Sequence, residues 1–108
     1  MGTVLHIGSD YALVLRRLAG DRRQLTAEED WPSCPPATAE NWQQAVEELA
    51  RLNQLLRQAV RAFPPERLDE PLIVEIAHTA YDQFIGVTQH NLYHAGQMVL
   101  HRRALVAA

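Results

Sequence analysis

The chain lacks most of what marks secreted, membrane and sheet proteins. Its 108 residues include a single cysteine, Cys34, so no internal disulfide can form, and a reducing, cytoplasmic location is expected. Cys34 lies between Ser33 and Pro35-Pro36, the setting of a free loop thiol, and nothing beside it supports a catalytic nucleophile. No apolar run reaches the roughly 18 residues needed to span a bilayer, so no membrane partner is expected. The N-terminus has no basic segment followed by a long apolar stretch, as a secretory signal requires. Strand-like alternation is also missing: Leu72-Ile73-Val74 is the only β-like patch, and it is too short to found a sheet. Nor is there an excess of basic charge. The net charge is -3 and the pI about 5.9, so phosphate backbones exert no general attraction. The short clusters Arg16-Arg17, Arg22-Arg23 and His101-Arg102-Arg103 are interrupted by acidic or apolar neighbours and read as solvated helix ends. Nucleic acid is therefore not an expected partner.

What is present is helical periodicity. The length fits one domain, taken as residues 1–108, and 47% hydrophobic residues suffice for a core. A first helix is predicted from about Thr3 to Ala19, where Val4, Leu5, Ile7, Tyr11, Val14, Leu15 and Leu18 recur at three- and four-residue intervals, with Gly20 as its stop. The proline-rich stretch from Asp21 to Ala37 reads as a long connection. A second helix is capped by Thr38, carries Trp42, Val46, Leu49, Leu52, Leu56, Val60 and Phe63 on one stripe, and ends at Pro64-Pro65. The last helix starts near Thr79, with Asp82 placed as in a capping box, and runs to about Leu105. Its stripe of Tyr81, Ile85, Thr88, Leu92, Ala95 and Val99, widened by Phe84, Val87 and Met98, predicts burial against two or more neighbours. Gly86 and Gly96 each cost about 1 kcal/mol relative to alanine inside a helix, and close helix approach would account for them. No internal repeat is present. The expected architecture is an all-α helical bundle.

Five histidines carry the chemistry: His6, His78, His90, His94 and His101. His90 and His94 stand one helical turn apart on one face, a spacing that lets two imidazoles chelate one ion. The bland reading is a solvated polar stripe of Gln83, His90, His94, Gln97 and His101. His101 lies about 16 Å from His90 along the axis, too far to share an ion, and beside Arg102-Arg103 it complements the negative end of the helix dipole. His78 precedes the helix as an ordinary polar residue. His6, among Val4, Leu5 and Ile7, is either a satisfied core histidine or a third ligand, should the first and last helices be neighbours. Three protein ligands with one open position is the arrangement of a catalytic metal site, and imidazole suits zinc, nickel, copper or iron(II).

The run His90-Asn91-Leu92-Tyr93-His94-Ala95-Gly96-Gln97-Met98-Val99-Leu100, followed by Arg102-Arg103, resembles the signature of the last helix of the DinB/YfiT-like superfamily. Leu5-His6-Ile7, Leu15-Arg16-Arg17-Leu18-Ala19-Gly20, Asp30-Trp31-Pro32 and Asn41-Trp42 extend the likeness over most of the chain. The resemblance implies a four-helix bundle and a three-histidine site, with His90 and His94 as ligands from the last helix and His6 as the third. It implies a divalent cofactor, zinc or nickel first, and low-molecular-weight thiols such as mycothiol, bacillithiol or glutathione as substrates of transferases or isomerases. Other members are called hydrolases. The family also has a helix before the one that bears His6, and this chain begins almost at His6, through genuine loss or a misassigned start codon. Loss would bare apolar surface, so the expected partner is a second copy, in a homodimer that completes the bundle.

Two functional classes follow. One is a metal-dependent thiol S-transferase or hydrolase in which Gln97 or Tyr93 orients ligands or substrate, Tyr93 being more often a packing residue. It has no evident general base and no recognisable pocket for a thiol cofactor. The other is a non-catalytic, stress-associated helical homodimer that binds metal weakly or not at all. A DNA-binding regulator ranks last, because it would need a basic recognition helix.

Overall fold

Helix boundaries fall where the cap chemistry places them. In the computed structural model, which describes residues 1–107, helix α1 spans Gly2–Leu18. It ends as expected at Gly20, whose φ of 88° only glycine adopts without strain. The turn lets Gly20 N–H donate to the Arg17 carbonyl and Asp21 N–H to that of Arg16, so the last carbonyls of α1 are satisfied. Helix α3 spans Ala39–Ala62, with the Thr38 hydroxyl accepting from Asn41 N–H at 3.1 Å. Helix α4 spans Ala80–Ala107 and begins in a reciprocal cap: Thr79 Oγ1 accepts from Asp82 N–H at 3.1 Å, and Asp82 Oδ2 accepts from Thr79 N–H at 3.4 Å.

The connection read as irregular from Asp21 to Ala37 contains a one-turn helix, α2, at Ala27–Asp30. Thr26 and Glu29 form a full capping box around it, and Glu28, Glu29 and Asp30 favour its positive end. Pro65–Arg67 form a 3-10 turn after α3. Among the described residues there is no strand, only an isolated bridge between Pro71 and Thr79, so the all-α expectation holds.

Helix α1 is the hub. Ile7, Tyr11 and Val14 are buried between Leu49, Leu52 and Leu56 of α3 and Phe84, Val87 and Met98 of α4. Full burial of such side chains is worth about 1.5–3 kcal/mol each. Gly8 lets α3 come close, since a Cβ there would meet Leu52 Cδ1 at 3.5 Å. Helices α3 and α4 each pack on α1 and much less on each other. They meet where Phe63 touches Phe84 edge to face at 5.3 Å and through Tyr11, whose hydroxyl accepts from Asn53 on α3 at 3.1 Å and from Asn91 on α4 at 2.5 Å. Between them a groove of about 480 Å³ stays open, floored by Tyr11.

Three expectations need correcting. The apolar surface of α4 is not buried against two or more neighbours: α1 covers one side, while Tyr81, Ile85, Leu92 and Val99 remain 42–70% exposed. Periodicity defines an apolar face but not the body that covers it. Gly86 and Gly96 mark no close approach within the chain, because an added Cβ would meet nothing within 4 Å at either. His101 does not serve the helix terminus, since α4 continues to Ala107 and its last turn holds no basic residue.

Candidate metal centre

Helix α1 lies against α4 so that His6 faces the His90–His94 pair. His6 Nε2 is 3.1 Å from His90 Nε2, and His94 Nε2 is 3.0 Å from the same atom. One nitrogen from each ring lies within 4.8 Å of the other two. His6 and His94 are buried, while His90 keeps about 30% of its side chain exposed. The fold thus brings together all three histidines proposed from the sequence. His78 and His101 are exposed and stand outside the cluster.

Each ring turns its other nitrogen to an oxygen. His6 Nδ1 lies 2.7 Å from the Asp30 carbonyl and 3.2 Å from Asp30 Oδ1. His94 Nδ1 lies 2.7 Å from Gln97 Oε1, and Gln97 Nε2 donates in turn to the Tyr93 hydroxyl at 3.2 Å. His90 Nδ1 lies 3.3 Å from Asp10 Oδ2, near enough for charge attraction though off line for a hydrogen bond. The oxygen acceptors behind His6 and His94 require the proton on Nδ1 of those two rings. Their Nε2 lone pairs then both turn to His90 Nε2, which can offer one proton at most, whereas a cation among the three satisfies every lone pair. For tetrahedral zinc, with Zn–N near 2.0–2.1 Å, ligand nitrogens are separated by about 3.3 Å. The two spacings to His90 Nε2, 3.1 and 3.0 Å, are close to that, so the residues fit a divalent ion. Histidine ligands whose second nitrogen donates to a carboxylate, carbonyl or amide oxygen are the usual supporting shell of such ions.

Burial and charge tune the group. Burial pushes the His90 imidazole below its usual value, Asp10 opposes this, and the neighbouring His94 and His6 add to it. A lowered value keeps the ring neutral, the form that binds metal. Burial also raises the Asp10 carboxyl, against the pull of His90 and His6. Arg17, two turns beyond Asp10 on α1, is lowered by burial and donates to Gln83 on α4 at 2.9 Å.

Sequence reasoning missed Asp30 behind His6 and two further contributors. Trp31, just past α2, stacks flat on His6 with ring centroids 3.8 Å apart and planes within 4°. Asp10, four residues after His6, sits behind His90. A signal for the first existed: Thr26-x-x-Glu29 is a capping box, and a helix there fixes the path of Asp30 and Trp31. Gln97 orients a ring, as considered. Tyr93 is 64% exposed, ends the Gln97 hydrogen-bond chain and sets its ring edge to face with His94, centroids 5.2 Å apart.

Compared with known families, residues 2–98 match the DinB superfamily. The chain belongs to the DinB superfamily. The match takes in α1, α2, α3 and the part of α4 that carries His90 and His94. No individual curated protein and no solved structure matched the chain. As in the sequence reading, no described helix of this DinB protein is long and apolar enough to cross a membrane.

Proposed function

We propose that this DinB protein binds one divalent ion, zinc or nickel, through His6, His90 and His94, and uses it in transfer to or from a low-molecular-weight thiol. The supporting observation is the convergence of three Nε2 atoms whose rings are each held from behind by an oxygen. When bound, such an ion would acidify a thiol or water beside it and supply a nucleophile near neutral pH.

The protein's own groups favour the thiol over the hydrolytic version. Asp10 and Asp30 are the carboxylates nearest the cluster, and both stand on the Nδ1 side of the rings. Neither is placed to take a proton on the Nε2 side, where hydrolysis would need a general base. A thiol ionises more readily than water and depends less on such a base. His6 and His94 form the dry wall of the site, Trp31 shields the face of His6, and His90 leaves the approach from solvent.

The test is metal content by mass spectrometry on untagged protein, wild type and His90→Ala, followed by conjugation of a small electrophile to mycothiol, bacillithiol or glutathione. Near-stoichiometric metal that is lost in the variant, with conjugation that requires it, supports the proposal. A wild type that takes up neither zinc nor nickel overturns it. Metal uptake without turnover on any of the three thiols removes the thiol reading and leaves a non-catalytic metal protein.

A further inference from the structure

Gly86 has no packing reason to be a glycine. It weakens α4 as a mid-helix glycine does, yet an added Cβ there would meet nothing within 4 Å. The open space is a cleft of about 410 Å³ between α1 and α4, walled in part by Gly86 and Val87. His90 and Asp10 stand at one end of it, and Arg17, Asp82 and Gln83 at the other. Asp10 to Arg17 on α1 and His90 to Gln83 on α4 are each two helical turns, so the cleft is about 10 Å long. A space of this size suits a small ligand.

The far end offers charge that the protein does not itself neutralise. Arg17 is partly buried. Its Nη1 donates to Gln83 Oε1 at 2.9 Å and its Nη2 to Gln24 Oε1 at 3.4 Å, while its buried Nε has no partner. Two neutral amides thus hold the guanidinium, and among the described residues no carboxylate pairs with it. A guanidinium fixed in this way is left to receive a carboxylate. Asp82 stands beside Gln83, exposed, with Oδ2 on the Thr79 N–H at 3.4 Å and no cation paired to it. One cation and one anion at the same end complement a ligand that carries a carboxylate and an ammonium close together. Asp10, at the other end, already faces His90.

We propose, with thiol transfer taken as the activity, that this cleft seats the α-amino carboxylate end of the thiol, its carboxylate on Arg17, its ammonium on Asp82 and its sulfur at the His90 end. A γ-glutamyl-cysteine unit has about eight bonds between sulfur and the glutamyl carboxylate and spans roughly 10 Å when extended, the length of the cleft. It also keeps its ammonium and that carboxylate on one carbon. Mycothiol carries no carboxylate, and the free amine of bacillithiol lies beside its sulfur, far from its carboxylates. Glutathione-type thiols are therefore the class that fits.

Amide chemical-shift titration of the isotope-labelled full chain with S-methylglutathione tests this with neither a free thiol nor turnover. Expected is saturable binding, with or without added zinc, that shifts Arg17, Gln83 and Gly86. Arg17→Met should weaken it about 10–100-fold, with partial recovery in Arg17→Lys. Gly86→Leu strengthens the helix while filling the cleft, and should abolish binding. Esterifying the probe's carboxylates or acetylating its amine should weaken binding as well. A wild type that does not bind the probe overturns the proposal. So does binding that Gly86→Leu leaves unchanged, or an esterified probe that binds as well as its parent. Should Arg17→Met fail to fold, Gly86→Leu decides. Metal content measured on the same samples keeps the two readings apart: a chain that binds the probe but no metal retains the cleft and loses the metal centre, and a chain that binds metal but not the probe does the reverse.

Discussion

The indole of Trp31 lies flat on the imidazole of His6, centroids 3.8 Å apart. This places a fluorophore against one of the three converging histidines, while the only other tryptophan, Trp42, sits at the start of α3. Nickel added to the metal-free protein is expected to quench tryptophan emission in the wild type. Trp31→Phe should remove the response and leave the Trp42 signal flat. Quenching that survives this substitution would place the ion elsewhere.

The supports behind the rings differ in kind, and their removal should differ in effect. Gln97 reaches His94 through its side chain, so Gln97→Leu deletes the acceptor and is expected to weaken metal binding by about 10–100-fold. His6 is held chiefly by the Asp30 backbone carbonyl, which Asp30→Ala keeps. Calorimetric titration with zinc should therefore show a much smaller loss for Asp30→Ala.

The lowered His90 imidazole sets a pH dependence in the metal-free chain. Unfolded, this histidine takes up a proton near 6.5; folded, it resists protonation to a lower pH. The unfolded state then binds more protons, so stability is full above 6.5 and declines as pH falls from 6.5 towards the lower folded value. Urea midpoints measured on the metal-free protein across that window should fall with pH. His90→Gln should flatten the part of the decline that belongs to this ring.

Tyr11 joins three helices through one oxygen. Tyr11→Phe keeps the ring and deletes the acceptor of both Asn53 and Asn91, leaving polar groups of these part-buried residues without that partner. The expected loss is about 1–3 kcal/mol, read from urea unfolding. A neutral outcome would mean that both amides find water in the adjoining groove.

Local chemistry was legible in the sequence; placement across the chain was less so. Thr38, Gly20 and the Thr79–Asp82 pair declared helix ends because caps act within four residues. The His90–His94 pair was legible for the same reason. His6 was legible only as one of two alternatives, since its role depends on α1 lying against α4, which no short-range pattern states; the family likeness favoured the ligand. Trp31 and Asp10 were hidden because a loop path and a helix rotation bring them in. The α4 stripe was read as buried, because hydrophobic spacing says that a face seeks cover and not whether the same chain provides it.

The spread of the three histidines along the chain has a consequence for assembly. His6 and His90 are 84 residues apart, so their meeting closes nearly the whole chain into a loop, at an entropic cost that local contacts do not offset. The packing of α1 on α4 is also slighter than that of α1 on α3. An ion at this point would act as a clasp on the weaker seam, adding its binding free energy to the docking of α4. Chelation should therefore loosen α4 first, with amide exchange rising along that helix while α1 and α3 stay protected.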